Sequence, residues 1–130
     1  MGCVMIKKRT SLLFAVMCLM TGCSFGCSAD EPAEMRIVTG DEAREIHASS
    51  NKAVLLDVRT QEEFDNQSIP GSILIPYDEL ETRLSELPDK NAEIIIFCRA
   101  GRRSAISAEI LANNGYKKVY DMQIIGYWWE

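Results

Sequence analysis

Glu93-Ile-Ile-Ile-Phe-Cys-Arg-Ala-Gly-Arg-Arg-Ser104 is the stretch on which the fold turns. Its opening run, through Phe97, is β-branched and aromatic, the pattern of a strand buried on both faces. Cys98 ends the run. The short basic segment Arg99-Ala-Gly-Arg-Arg103 follows, and from Ser104 a helix is expected to about Asn114. Ile106, Ile110 and Leu111 form its apolar stripe, and Gly115 supplies a left-handed C-terminal cap. A buried strand that passes directly into a helix is half of a parallel crossover unit.

The flanking sequence repeats the alternation. Ile37-Val38 reads as a short strand, and Thr39-Gly-Asp-Glu42 is a capping box opening a helix to about Ala48. Ala53-Val-Leu-Leu-Asp-Val58 is another continuous strand, and Thr60-Gln-Glu-Glu63 a second capping box, with a helix to about Asn66. Ile73-Leu-Ile75 gives a third strand. Asp78 is expected to cap a helix through Leu87, with Leu80, Leu84 and Leu87 at helical spacing, before a turn at Pro88-Asp-Lys-Asn91. Lys118-Val-Tyr120 reads as the last strand. Strands alternating with helices indicate an α/β domain with a mainly parallel sheet.

The chain has 130 residues, 47% of them hydrophobic and 25% charged, which suits one globular domain with something attached. Its net charge is -5, yet the only charges in residues 1–22 are the basic Lys7, Lys8 and Arg9. The remainder is therefore more acidic than the whole. Such a surface argues against nucleic acid, whose binding depends on phosphate neutralisation.

Residues 1–22 read as processing information. Lys7-Lys-Arg9 is a basic n-region, and Ser11 to Met20 is an apolar run shorter than the roughly 20 residues of a spanning helix. Met20-Thr-Gly-Cys23 resembles a bacterial lipobox, departing from it at Met20, where leucine is usual. That reading makes Cys23 the lipidation site, 23–34 a polar tether, and 35–130 the domain of a membrane-anchored lipoprotein outside the cytoplasm. Cleavage after Cys27-Ser-Ala29, giving a soluble secreted or periplasmic protein, is the alternative.

Of five cysteines, only Cys98 falls in the domain, so no disulfide can staple it internally. One Cys and one His (His47) are too few for a zinc site, and no cofactor is implied. Whether Cys27 pairs with Cys98 stays open. His47, on an early helix, is expected at the surface. Cys98 stands at a strand's carboxyl end before a helix N-terminus, where α/β sheets bind ligands. The loop after it is small enough to turn its amides toward the sulfur, with Gly101 supplying a positive φ. Inward N–H groups favour an anion, here a thiolate or persulfide. Arg99, Arg102 and Arg103 add positive charge to draw in an anionic donor.

Cys98-Arg-Ala-Gly-Arg-Arg-Ser104 resembles the active-site loop of single-domain rhodaneses. Leu56-Asp-Val-Arg59, Glu63-Phe64 and Ile69-Pro-Gly-Ser72 resemble two upstream signatures of the same family. The resemblance covers about 37–130 and implies a five-stranded, mainly parallel sheet with helices on both faces. It implies that Cys98 accepts sulfur from thiosulfate or a similar donor and passes it to cyanide or another thiol. The backbone of Arg99, Ala100, Gly101, Arg102, Arg103 and Ser104 would cradle the persulfide, with Arg99 and Arg103 helping to hold an oxyanion. Asp57 and Arg59 would be supports, bonded to neighbours including Glu63. The chain departs from the family pattern at Gln67-Ser68, where Gly-His is usual, and at Asp121 to Gly126, which lacks the usual Gly-Gly. Tyr127, Trp128 and Trp129 are expected to pack against the sheet.

Two other readings compete. A sulfur-relay or binding module would carry sulfur with little turnover. A Cys-dependent phosphatase or arsenate reductase is the rival chemistry, but a Cys-x5-Arg loop would place Arg at position 104, which is serine.

Overall fold

A computed structural model describes residues 33–87 and 89–130. The expected processing signal at 1–22, the expected lipidation site Cys23, nearly all of the expected tether, and Pro88 of the expected turn lie outside the described residues. Five strands, β1 (Glu34–Ile37), β2 (Val54–Asp57), β3 (Ile73–Leu74), β4 (Glu93–Cys98) and β5 (Lys118–Ile124), form one sheet in the order β1-β5-β4-β2-β3. Every neighbouring pair is parallel. The three α-helices are α1 (Gly40–Ser49), α2 (Gln61–Asn66) and α3 (Arg102–Asn113). This is the α/β architecture expected.

The most apolar strand takes the middle of the sheet, because only there are both faces covered. Ile94, Ile96 and Cys98 point to one face, where they join Leu56, Val58, Ala108, Leu111 and Tyr116 in a buried cluster that includes α3. Ile95 and Phe97 point to the other, with Val38, Leu55, Tyr120, Met122 and Ala43 of α1. Both capping boxes form as read: Thr39 and Thr60 accept the N–H of Glu42 and Glu63, whose carboxylates reach back to the cap N–H. Gly40 is needed for close approach, since a Cβ there would sit 1.8 Å from the Tyr127 carbonyl oxygen.

Three expectations need correction. The helix expected from Asp78 to Leu87 is two single 3-10 turns, Leu80–Thr82 and Leu84–Glu86. The residue before a proline is biased away from α geometry, and Leu87 has φ -112° and ψ 75°. Its N–H closes a tight turn on the Leu84 carbonyl at 3.0 Å, and the Tyr116 hydroxyl lies 3.0 Å from the same oxygen and 2.7 Å from that of Leu87. On α3 the buried face is Ser104, Ser107, Ala108 and Leu111, while Ile106 is 38% exposed. Small residues let the helix lie close to the sheet, and the Ser107 hydroxyl is satisfied by the Arg103 carbonyl at 2.9 Å. His47 is half-buried rather than a surface residue. Its ring stands edge-on to Trp128 at 5.8 Å, and its buried Nδ1 has no hydrogen-bond partner among the described residues.

Most other features follow the reading. Gly115 has φ 86°, closing α3 with bonds from Gly115 N–H to the Ala112 oxygen and from Tyr116 N–H to the Leu111 oxygen. Tyr127 and Trp128 pack on the α1 side of the sheet as expected, but Trp129, expected to pack with them, is 51% exposed.

The reassigned face of α3 is testable. Leu111→Ala should lower unfolding free energy by about 2–5 kcal/mol, the usual cost for a buried leucine. Ile106→Ala should stay within about 0.5 kcal/mol of the parent. Urea denaturation measures both, and equal losses would contradict the burial pattern.

Candidate active site

Cys98 is the last residue of the central strand, flanked by Phe97 pairing with β2 and by its own pairing with Ile124 of β5. The thiol is thus mounted on the most constrained part of the sheet rather than on a free loop. Arg99 and Ala100 form an exposed turn. Gly101 then adopts φ 85°, a left-handed geometry that suits glycine, and caps α3. That twist brings its N–H to 3.0 Å from Cys98 Sγ.

The sequence led us to expect several amides around the sulfur. Among the described residues, the Gly101 amide alone makes a hydrogen bond to Sγ, and Cys98 is only 1% exposed. The sulfur therefore lies beneath the loop, with one donor fixed on it. Ser104, fully buried in the first turn of α3, donates its hydroxyl to the Gly101 carbonyl at 2.9 Å. Both polar groups of the Gly101 backbone are thus held. A cleft of about 480 Å³, lined by Thr39, Gly40, Asp41, Arg44, Gln123 and Tyr127 among others, does not include Cys98.

The arginines divide into two kinds. Arg99 and Arg102 are exposed and make no ion pair with a described residue. Arg103 instead forms a two-pronged pair with Glu63, at 2.6 and 3.0 Å. Two of its five N–H donors are thereby directed at Glu63. The Glu63 carboxylate, the proximity of Cys98 and that of Asp57 all favour the charged guanidinium, in that order of size. The same pairing with Arg103 leads the causes that hold the Glu63 carboxyl at about 2.

Asp57 and Arg59 form a separate, buried unit. Arg59 donates through Nε and a terminal nitrogen to both Asp57 oxygens, at 2.7–3.1 Å, and the same terminal nitrogen reaches the Gln67 carbonyl at 2.6 Å. The expected link from this pair to Glu63 is absent among the described residues, because Glu63 faces Arg103 instead. Sequence reasoning also missed Asp121 and Gln123 at the end of β5. Gln123 has φ 66°, and its N–H donates to Asp121 Oδ1 at 2.8 Å. The available signal was an aspartate two residues before the bulge in the strand, a local hydrogen-bonding pattern that occurs too often to be singled out. No group of three or more His, Cys, Asp or Glu side chains among the described residues is placed to hold a metal ion.

Glu63 gives a pH-dependent prediction. Its folded value of about 2 lies below the usual 4.5, so its stabilisation is complete above about pH 4.5 and is lost as pH falls toward 2. Partial solvent screening limits the effect to on the order of 1–2 kcal/mol. Glu63→Gln should be less stable than the parent near about pH 7, with a gap that shrinks near about pH 3. A gap independent of pH would contradict the charge assignment.

Comparison with known proteins agrees with this geometry. The Rhodanese-like domain family matches residues 39–123. The chain is 44% identical over 68 residues to the putative sulfur carrier protein YrkF of Bacillus subtilis, covering 52% of this chain and 36% of that one. It is 38% identical over 65 residues to the thiosulfate sulfurtransferase PspE of Escherichia coli, covering 49% and 62% respectively. The matched region is thus only part of these relatives' length. Among solved structures, a rhodanese-like domain protein from Staphylococcus aureus superposes with a TM-score of 0.64 at 34% identity, covering 72% of this chain and 91% of that one. The human single-domain sulfurtransferase TSTD1 gives 0.61 at 28%, covering 75% and 95%. With the fold, the cysteine loop and these likenesses in agreement, the chain belongs to the rhodanese-like domain family.

Proposed function

We propose that this protein is a sulfurtransferase that carries sulfane sulfur on Cys98. The supporting observation is the Gly101 N–H directed at Cys98 Sγ where the central strand meets the α3 N-terminus. A fixed donor and the positive end of a helix favour anionic sulfur without a general base. In the first step the thiolate attacks the outer sulfur of thiosulfate. A new S–S bond forms at Cys98, the S–S bond of the donor breaks, and sulfite leaves with the electron pair. In the second step a nucleophilic acceptor, cyanide or a thiolate, attacks the outer persulfide sulfur and releases the Cys98 thiolate. Exposed Arg99 and Arg102 draw the dianionic donor toward an otherwise acidic surface. Because the thiol is covered, the exposed Arg99–Ala100 segment must move aside to admit the donor while the Gly101 amide stays on the sulfur.

A sulfur-relay module is the second reading, favoured by the burial of Cys98 and by likeness to a putative sulfur carrier. The phosphatase reading is disfavoured, since the position a Cys-x5-Arg loop gives to arginine holds Ser104, buried and bonded to Gly101. We further propose that residues 1–22 export the chain and that Cys23 is acylated, tethering the domain to a membrane outside the cytoplasm.

Cys98→Ser should abolish thiocyanate formation from thiosulfate and cyanide, at least a thousandfold below the parent by order of magnitude. Residual turnover within about tenfold of the parent would refute the nucleophile assignment. Turnover that is slow in the parent, with stoichiometric sulfur capture by a partner thiol, would select the relay reading. In bacterial cells fed labelled palmitate, the chain should become labelled and Cys23→Ser should not. Equal labelling of both would remove the Cys23 assignment, and no label in either would remove the anchor.

A further inference from the structure

Gln123 is the one non-glycine residue with a left-handed backbone among the described residues. It stands where the β4–β5 register slips: Ile96 pairs with Asp121, Phe97 pairs with Gln123, and Met122 is left as the extra residue of a bulge. Glutamine disfavours that backbone, so something must hold it there. Asp121 does so, through the 2.8 Å bond from Gln123 N–H to its Oδ1. This carboxylate is 5% exposed and has no cationic partner among the described residues. Burial pushes its carboxyl upward, while the Ser104 hydroxyl and the Gln123 amide pull it back.

The bulge reaches the sulfur by one short route. Gln123 lays its side chain against Gly101, where a Cβ would lie 3.5 Å from Gln123 Cβ and 4.0 Å from its Cδ. Gly101 is the residue whose N–H meets Cys98 Sγ and whose carbonyl takes the Ser104 hydroxyl. Asp121 thus acts on Gly101 through Gln123, while Ser104 holds the Gly101 carbonyl. A buried carboxylate without a cation is costly unless its acceptor capacity is used. Here it holds the strand end against the loop.

We propose that Asp121 is a positioning residue of the sulfur site, holding the Gln123 bulge against Gly101 and so fixing the amide that donates to Cys98. The inference rests on Cys98 being the sulfur-accepting nucleophile. Asp121→Ala removes the acceptor, whereas Asp121→Asn keeps an oxygen for the Gln123 N–H. In the full chain, Asp121→Ala should slow both sulfur uptake from thiosulfate and iodoacetamide alkylation of Cys98 by about tenfold, the scale of one hydrogen bond to a charged group. Asp121→Asn should recover both rates to within about threefold of the parent. Simple loosening would bare a buried thiol and speed its alkylation, so the sign of the change separates positioning from packing. If Asp121→Ala fails to fold by circular dichroism, Gln123→Gly decides. It takes the left-handed backbone readily but leaves Gly101 unsupported, and should slow both rates likewise. A folded Asp121→Ala or Gln123→Gly protein whose Cys98 alkylates at or above the parental rate would overturn the proposal. Absence of sulfur uptake by the parent would instead overturn the sulfurtransferase reading, and the alkylation comparison would still judge Asp121.

Discussion

The structure depends on a constraint at the carboxyl end of β4: the chain must pass from the central strand into α3 across three residues. Such a turn needs a left-handed residue at its end, and Gly101 supplies it. The same φ brings the Gly101 amide back over the strand end, where Cys98 Sγ receives it. Topology and chemistry therefore share one backbone angle. A side chain at position 101 would carry a left-handed penalty, although its Cβ would meet Gln123 at ordinary contact distance.

Around that turn the sheet edge is braced by two charged pairs with distinct duties. Asp57–Arg59 is buried and ties the end of β2 to the carbonyl of Gln67, fixing the segment after α2. Glu63–Arg103 is more exposed and links the first turn of α2 to the first turn of α3. Glu63 does this while also completing the Thr60 capping box, so one carboxylate closes a helix start and clamps the reactive loop. A pair with bidentate geometry and a second hydrogen-bonding role is better placed to contribute than an isolated surface contact.

Much of the architecture was legible because its signals are local and redundant. Both capping boxes, the two continuous apolar strands and the Gly115 cap each announce themselves within a few residues, and each formed. The Asp78–Leu87 segment failed because leucines at helical spacing report which side faces the core, not whether the backbone between them is α or 3-10. Ile106 was misjudged because the face of α3 is chosen by how closely small serines and alanines let it approach the sheet, which hydrophobicity does not encode. In the site, the residues around Cys98 could be named from the loop itself. Their partners could not: Arg103 meets a carboxylate 40 positions earlier in the chain, and Gly101 is braced by a bulge 22 positions later. Long-range pairing of this kind is decided by the folded sheet edge, where β2, β4 and β5 all end.

The account comes down to whether sulfur can reside on a thiol lying under the Gly101 amide. The most direct measurement is peptide mass mapping of the non-reduced protein after exposure to thiosulfate and again after cyanide. The account predicts that the peptide containing Cys98 gains the mass of one sulfur atom and loses it to cyanide. A Cys98 peptide unchanged by thiosulfate, with the added sulfur absent or carried on another cysteine, would contradict it.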